Sequence, residues 1–203
     1  MGTLKTTNIQ TITGSGTLTI GQSGETVTIP SGVTATNFVA GVSSSSTSGT
    51  AISIDSSNRI SMPNQPAFFA TSNGLDQSIS VNTVGDFGTT LVNIGNHYNT
   101  STKQFTAPVS GTYYMEAVFQ ISGASATQRH ALGVRLRKNG ASQKDQYTGN
   151  LGGATQYVSV NCTCVMDLSA GDTVDAMVTP GTTVSVEYNG GNDRCHFAGF
   201  LIG

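Results

Sequence analysis

The sequence is poor in charged residues and contains no tryptophan. Asp, Glu, Lys and Arg make up 10% of its 203 residues, against about 25% in an average globular protein. The formal net charge is −2 and no basic block occurs, so we expect no nucleic-acid partner. No apolar run approaches the roughly 18–20 residues that span a bilayer, which predicts no membrane insertion. The N-terminal region also lacks the continuous apolar segment of a signal peptide, so we expect none.

Cysteine is scarce as well, since the chain contains only Cys162, Cys164 and Cys195. This odd number, without a C-x-x-C spacing, argues against a zinc site. Cys162 and Cys164 share the parity of Val158 and Met166 in a predicted strand, where alternate side chains point the same way. Buried free thiols are therefore the favoured interpretation, and we expect no metal and no cofactor.

Patterns that indicate catalysis are missing too. His97, His130 and His196 are the only histidines and have no H-E-x-x-H spacing, and no G-x-S-x-G elbow occurs. We therefore predict that the protein is not an enzyme, with cleavage of surface polysaccharide as a less favoured alternative. Asp172 and Asp175 have two interpretations, turn caps or part of a calcium loop. The lack of a D-x-D-x-D loop favours the caps.

Glycine, serine, threonine and asparagine are abundant, with 25 glycines in all. Short segments with alternating apolar residues lie between Gly- and Asn-rich turns, and no long stretch has a helical period of 3.6 residues. This pattern predicts an all-β fold whose C-terminal part is an antiparallel jelly-roll sandwich. The predicted strands lie near residues 67–71, 89–94, 103–107, 111–122, 129–138, 156–168, 172–179, 183–188 and 195–202.

The central stretch, Gly95–Phe119, contains a corner at Pro108–Gly111 followed by a long strand. We expect Gly111 to adopt a positive φ, because a tight corner after a proline favours glycine there. Alternate residues of the strand are apolar and predict one face packed on a core. Tyr114 and Val118 make the other face apolar as well, which predicts a second layer or another subunit over it.

Residues 1–64 form a separate compositional block, which we predict to be a β-rich, extended stem before a head at residues 65–203. Its short predicted strands, at residues 17–20, 26–29 and 51–54, have too little apolar surface to fold alone. We expect several chains to stack there, and a disordered tail is the alternative. A small hairpin is predicted over Ile54–Pro63.

Four motifs follow one another in the head. They are N-H-Y at 96–98 with Phe105, Pro108, Gly111 and the tyrosines at 113 and 114; L-R-K-N-G at 136–140; V-M-D-L-S-A-G-D-T-V at 165–174; and F-A-G-F-L-I at 197–202. In order and spacing, residues 66–203 resemble the globular heads of complement C1q and the tumour necrosis factor superfamily. Two departures are the absence of a collagen repeat and T-K-Q at 102–104, where these heads usually have Thr-Gly.

This resemblance implies a ten-strand jelly roll that assembles as a compact homotrimer, with aromatic strands meeting near the threefold axis. Such an arrangement would explain the second apolar face of the long strand. The residues that we expect in the core or at the trimer contact are Tyr113, Tyr114, Met115, Phe119, Phe197 and Phe200.

The first block points to another group of proteins. G-T-L-T-I-G-Q-S-G-E-T-V-T-I-P-S-G-V-T at 16–34 and I-D-S-S-N-R-I-S-M-P-N-Q-P-A-F at 54–68 resemble tail-fibre and virion appendage proteins of marine bacteriophages. The resemblance implies a virion structural protein, assembled in the host cytoplasm and carried on the tail or capsid surface. We expect a trimeric short tail fibre or spike that docks on another virion protein through residues 1–60 and binds a host surface glycan or protein with its head. The alternative is a trimeric capsid decoration or head fibre protein.

The expected recognition surface consists of loops rich in Ser, Gly, Asn, Gln and Tyr, at residues 122–128, 144–155 and 189–193. A row of cations at Arg129, Arg135 and Arg137 has two interpretations. One is a solvated face paired with Glu116 across strands or across subunits, and the other is contact with an anionic sugar. The candidate recognition residues are Arg135, Arg137, Tyr147, Asn192 and Arg194.

Overall fold

Segments with period-2 alternation form β-strands in the part of the chain that the computed structural model describes, residues 42–43, 50–72, 76–122, 133–147, 157–180, 184–186 and 194–203. These residues contain no helix, and hence none long and apolar enough to cross a membrane. All of them belong to the second of two units of the chain, Gly41–Gly203. The stem strands predicted at 17–20 and 26–29 lie outside the described residues. The boundary between residues 64 and 65 stays a prediction.

Sixteen strands are present in the described residues. They are β1 (Val42–Ser43), β2 (Thr50–Ile54), β3 (Ile60–Ser61), β4 (Ala67–Thr71), β5 (Gln77–Ile79), β6 (Thr83–Val84), β7 (Thr89–Ile94), β8 (Tyr98–Asn99), β9 (Gln104–Thr106), β10 (Gly111–Ser122), β11 (Gly133–Lys138), β12 (Ala141–Tyr147), β13 (Tyr157–Leu168), β14 (Thr173–Thr179), β15 (Val184–Val186) and β16 (His196–Leu201).

The front sheet is organised around β10. One edge of β10 pairs antiparallel with β13 over twelve residues, and the other edge pairs with β16 and, near its end, with β15. Beyond β16 lie β4 and then β7, while β5 pairs with β15. The wide part of the front sheet therefore has the order β13–β10–β16–β4–β7.

The back sheet has the order β12–β11–β14–β9–β8, with β6 paired to β14. Residues 107–110 join β9 to β10, and residues 169–172 join β13 to β14, so these strands of the two sheets meet at one end. We call this the base end. The opposite end, which contains Tyr147, Tyr157 and Thr179, is the tip end. The predicted all-β antiparallel sandwich is confirmed.

The core lies between the sheets and contains the inward-facing residues of β10. Tyr113, Met115 and Phe119 have no exposed surface. On the neighbouring strands Phe68 stacks on two rings of the back sheet, Tyr98 and Phe105, at centroid distances of 5.0 and 4.9 Å. All three cysteines are free thiols. Cys162 is buried, as its strand parity predicted, whereas Cys164 is only half-buried; Cys195 is buried as well.

Gly111 is needed for a different reason from the one that we predicted. Its φ is not positive; among described glycines a positive φ occurs at residues 95, 140 and 171. A Cβ on Gly111 would instead lie 2.7 Å from Cδ1 of Leu201 and 2.9 Å from the carbonyl oxygen of Gly203. The corner is completed by the hydroxyl of Tyr113, which donates to the Val109 carbonyl oxygen at 2.8 Å. The close approach of the C-terminal residues therefore excludes a side chain here.

One of the predicted assignments on the back sheet was wrong. Residues 144–147, expected at the start of a recognition loop, belong to β12, which pairs with β11. The turn between these two strands was predicted correctly, and both of its central residues, Asn139 and Gly140, have a positive φ, at 50° and 78°. This is the backbone of a type I′ hairpin turn, which Asn-Gly favours. The strand predicted over 129–138 is present as β11 (Gly133–Lys138), and its predicted first residues, 129–132, lie outside the described residues.

The predicted hairpin before the head is present as β2 and β3, where Ile54 lies opposite Ile60. Asp55 closes its turn by accepting hydrogen bonds from the backbone N–H groups of Ser57 and Arg59, at 2.8 and 3.0 Å. The Arg59 side chain adds an ion pair to the same carboxylate at 2.7 Å.

Candidate functional site

The outer face of the front sheet, which points away from the core, carries an apolar row that crosses five adjacent strands. Strand register places Tyr114 of β10 opposite Val165 of β13 on one side and Phe200 of β16 on the other. The same row continues through Ala67 of β4 to Ile94 of β7. Because alternate residues of a strand share one face, none of these side chains can reach the core.

Several of these side chains are open to solvent in the single chain. Val165 is 59% exposed, Phe200 46% and Val92 43%. The rings of Tyr114 and Phe200 pack against each other with their centroids 5.3 Å apart. Contiguous exposed apolar surface on a folded chain is typical of a contact site. We name Tyr114, Val165, Phe200, Ile94, Val92 and Phe69 the front patch.

One carboxylate and one imidazole lie within the front patch. The hydroxyl of Tyr114 donates to Glu116 at 3.2 Å, and burial together with the Glu116 charge raises the pKa of this tyrosine. His196 stacks on the ring of Phe69 at a centroid distance of 5.0 Å. Burial lowers the pKa of His196, and the negative charge of Glu116 opposes this effect. The uncharged imidazole is therefore the form that the folded chain favours.

The residues predicted for the core or trimer contact divide into two groups. Tyr113, Met115, Phe119 and Phe197 are fully buried in the single chain and form its core. Tyr114 and Phe200 belong to the front patch. Their role in a trimer contact stays a prediction.

Arg137, a predicted recognition residue, is held in a buried ion pair. Its guanidinium donates two hydrogen bonds to Asp175, at 2.7 and 2.8 Å. The carboxylate of Asp175 is only 2% exposed and also accepts from the side chain of Gln104 at 3.2 Å. A charge that is neutralised inside the protein in this way is not available to an anionic ligand.

Arg135 has a partner as well. It donates two hydrogen bonds to Asp145 at 2.8 and 2.7 Å, and these bonds raise the pKa of the arginine and lower that of the carboxyl. Both cations thus pair within the back sheet of the single chain, where their partners are Asp145 and Asp175 and not Glu116. A pairing with Glu116 of another subunit stays a prediction. Arg129 lies outside the described residues. The arrangement does not support a row of free cations.

The tip end brings together the remaining candidates that the structure describes. Tyr147 ends β12 and is 49% exposed. Tyr157 begins β13, and the guanidinium of Arg194 lies over its ring, 5.9 Å from the centroid. Asn192 lies outside the described residues, as do most of the three predicted recognition loops. Their flanking strand ends all lie at the tip end.

At the base end, Asp172 connects two turns. It accepts hydrogen bonds from the Asn139 side chain and the Ser169 backbone, both at 2.7 Å, and an ion pair from Lys138 at 2.8 Å. The side-chain bonds from Lys138 and Asn139, followed by the Ser169 bond, lower the pKa of Asp172 to about 2. These contacts are those of a turn cap. Among the described residues no group of three or more potential ligands could hold a metal ion.

Sequence reasoning found Tyr114 and Phe200 but missed the rest of the front patch. Val165 and Phe69 have the parity of the polar residues on their strands, and this mismatch is the signal that would have identified them. The proximity of Glu116 to His196 depends on the register of β10 against β16, which the sequence does not display.

Comparison with known proteins agrees with this geometry. The C1q domain family matches residues 67–202. Among solved structures, the chain is similar to the tumour necrosis factor Eiger from S. frugiperda, with a TM-score of 0.53 and 12% identity over 69% of this chain and 94% of that one. It is also similar to murine APRIL, with a TM-score of 0.52 and 10% identity over 68% and 99%.

The globular domain of zebrafish complement 1qA has a TM-score of 0.49 and 20% identity, over 68% of this chain and 98% of that one. At these identities the structural likeness to Eiger and APRIL shows the fold alone, the jelly roll. The family match covers most of the chain. The chain therefore belongs to the C1q domain family.

Proposed function

We propose that the protein is a trimeric virion appendage of a bacteriophage, a short tail fibre or spike. In this proposal the stem docks on another virion protein and the head binds a glycan or protein on the host surface. The observation that carries the proposal is the front patch, an apolar surface over five strands that a single chain leaves open to solvent.

A homotrimer is the assembly that best accounts for this patch. Three copies around a threefold axis each bring the outer face of one front sheet to a neighbour, and the ring closes without leaving an unpaired patch. Apolar side chains such as Phe200 and Val165 are then removed from water. This stabilises the trimer by roughly 25 cal/mol for each Å² of apolar surface that is buried. The resemblance of the head to complement C1q and tumour necrosis factor heads supports the same assembly.

The virion role rests on the first sequence block. Residues 16–34 and 54–68 resemble phage tail-fibre and appendage proteins, and a trimeric head is suited to the end of such a fibre. A trimer presents three identical binding sites, so weak contacts with a repetitive cell surface add up to strong attachment.

The tip end is the part of the head that we assign to recognition. Tyr147 is half exposed there, and the exposed ring of Tyr157 packs under the partly exposed guanidinium of Arg194. Aromatic and guanidinium groups suit adaptable contacts with polar ligands such as sugars. Arg135 and Arg137 are not assigned to recognition, because their charges are paired within the back sheet.

Localisation on virions tests the proposal. Gold-labelled antibodies against the full chain should decorate the tail or a spike of virions that carry the protein. Label over the capsid shell instead would favour the alternative, a capsid decoration or head fibre. Failure to label any virion would contradict the virion role.

Host binding is the second test. Fluorescently labelled full chain should bind host cells, and the double variant Tyr147→Ser/Tyr157→Ser should lose binding. Gln143→Ser, which shortens an exposed side chain of β12, serves as the matched control and should bind normally. Equal binding by all three proteins would contradict recognition at the tip end.

A further inference from the structure

The β2–β3 hairpin carries an exposed apolar ridge. Ile54 and Ile60 lie directly opposite each other across the two strands, and they are 58% and 68% exposed. On the neighbouring register position Ser53 and Ser61 share a hydrogen bond of 2.6 Å, which marks the polar side of the hairpin. Two large aliphatic side chains held side by side on a fixed turn form a preorganised apolar surface, here called the ridge.

A groove at the base end of the head provides a second apolar surface. It consists of two adjoining cavities of about 540 and 440 Å³. Both cavities are lined by Met62, Pro66, Leu201, Ile202 and the amide side chain of Gln65. Polar groups of Asn64 and His97 line part of the larger cavity. We call this surface the base groove.

The base groove is continuous with the front patch. One cavity reaches Ile94 and Phe200, which belong to that patch, and the other extends around the base to Pro108 and Val109. A neighbouring copy that covers the front patch therefore also lies beside the opening of the base groove. This step rests on the trimer of the proposed function.

The root of the hairpin is fixed to the floor of the groove. The side chain of Gln65 donates to the Leu201 carbonyl oxygen at 2.7 Å, and the Leu201 N–H donates to the carbonyl oxygen of Pro66 at 3.0 Å. The hairpin thus leaves the head at a defined point. Ala51 of β2 and Met62 after β3 themselves line the larger cavity. Ile54 follows Ala51 by three residues and Ile60 precedes Met62 by two, so the ridge lies at the base end beside the groove.

In a threefold ring, each copy contacts the next through two different, complementary surfaces: one surface binds the neighbour on one side, and the other is bound by the neighbour on the other side. The ridge and the base groove meet this requirement, because both are apolar, both are open in the single chain and both lie at the base end. We propose that the ridge of each copy packs into the base groove of a neighbouring copy. The three hairpins then form a collar that fixes the stem to the trimeric head.

Directed cross-linking tests the collar. Two full-length variants, Ile60→Cys with one tag and Ile202→Cys with another, are co-expressed, purified through both tags and treated with a short bismaleimide. We expect a cross-link between the two differently tagged chains. The parent chain, with its three native cysteines, is treated in parallel as the control and should give none.

Two outcomes would overturn the collar. A cross-link within trimers of Ile60→Cys alone would show that the ridges pack on one another at the axis. Trimers without any link between the two variants would show that the groove does not receive the ridge. The mass of each sample is measured by sedimentation, so that a protein without trimers contradicts the proposed function rather than the collar alone.

Proteolysis provides a readout that needs no cysteine. In the collar the Arg59–Ile60 bond is protected from trypsin, because Ile60 is packed in the groove. Ile54→Ser leaves this bond unchanged but removes half of the ridge, and it should speed cleavage about tenfold. Val81→Ser removes an exposed valine away from the base groove and should leave the rate unchanged. Equal rates for both variants and the parent would contradict the collar.

Discussion

At the scale of single residues, the pairing of charges decides which side chains are available for function. Arg137 and Arg135 are two positions apart on β11, yet their partners differ in burial: Asp175 is 2% exposed, whereas the side chains of Arg135 and Asp145 are 26% and 28% exposed. A buried carboxylate that loses its cation is costly, while a solvated pair contributes little.

This difference predicts unequal effects of two matched substitutions. Arg137→Ala should lower the free energy of unfolding by about 3–5 kcal/mol, because it leaves Asp175 charged and unpaired inside the protein. Arg135→Ala should cost at most about 1 kcal/mol. Urea denaturation monitored by circular dichroism measures both. Equal losses for the two variants would contradict the assignment of Arg137 to a structural ion pair.

Gly199 is required because neighbouring atoms leave no room for a side chain. A Cβ at this position would collide with Sδ of Met115 and lie 2.8 Å from the ring of Phe68. We predict that Gly199→Ala destabilises the fold by about 1–3 kcal/mol, as is typical of overpacked cores. Gly203→Ala is the control, since nothing lies within 4 Å of its Cβ position. Thermal denaturation compares the two, and an unchanged melting temperature for Gly199→Ala would refute this packing.

At the scale of elements, Asp172 couples the Asn139–Gly140 turn to the turn after β13. Its folded pKa of about 2 lies below the ordinary value of 3.8. The stabilisation from this network is therefore fully present above pH 3.8 and is lost as the pH falls through about 2. Asp172→Asn should be less stable at neutral pH and should show a flatter stability profile between pH 4 and about 2. Melting curves across this range measure the effect, and parallel profiles for the variant and the parent would contradict it.

The long strands could be predicted because one side of each is apolar. In β13 the parity of Val158, Met166 and Leu168 marks the buried side without any knowledge of neighbouring strands. β12 was missed because Ala141–Tyr147 lies at the edge of the back sheet and is exposed on both sides, so its sequence has no apolar alternation. Edge strands depend on their pairing partner, which no local pattern reports.

The loop before β9 contains a strained residue at a position that the sequence marks as unusual. Lys103, in the T-K-Q segment at 102–104 that departs from the head motif, adopts a φ of 60°. A side chain in this left-handed region costs about 1–2 kcal/mol. An ion pair of 2.6 Å between its Nζ and Asp86 offsets part of that cost. The substitution could be noticed in the sequence, but its partner could not, because Asp86 approaches only through the folded loops.

At the scale of the whole molecule, protonation of His196 makes the stability of the front-patch contact depend on pH. Burial holds the pKa of His196 below its ordinary value of 6.5, so its contribution to stability is present above pH 6.5 and is lost as the pH falls through the lowered value. Trimer contact would bury the imidazole ring further and lower the pKa of His196 further.

We therefore predict that the trimer dissociates more readily near pH 5 than at pH 7.5. His196→Gln should remove most of this dependence, whereas His97→Gln, at the base end, should retain it. Sedimentation velocity at both pH values measures the trimer fraction. The same pH dependence in His196→Gln as in the parent would contradict the role of this histidine.

The central claim is that the front patch joins three copies of the chain, and the mass of the particle in solution tests it most directly. Sedimentation equilibrium of the full chain should give three times 20.9 kDa. The double variant Tyr114→Ser/Phe200→Ser should shift toward the single chain with its circular dichroism spectrum retained, while Val81→Ser should remain trimeric. A parent protein that sediments as a single chain, or a folded double variant that is still a trimer, would contradict the account.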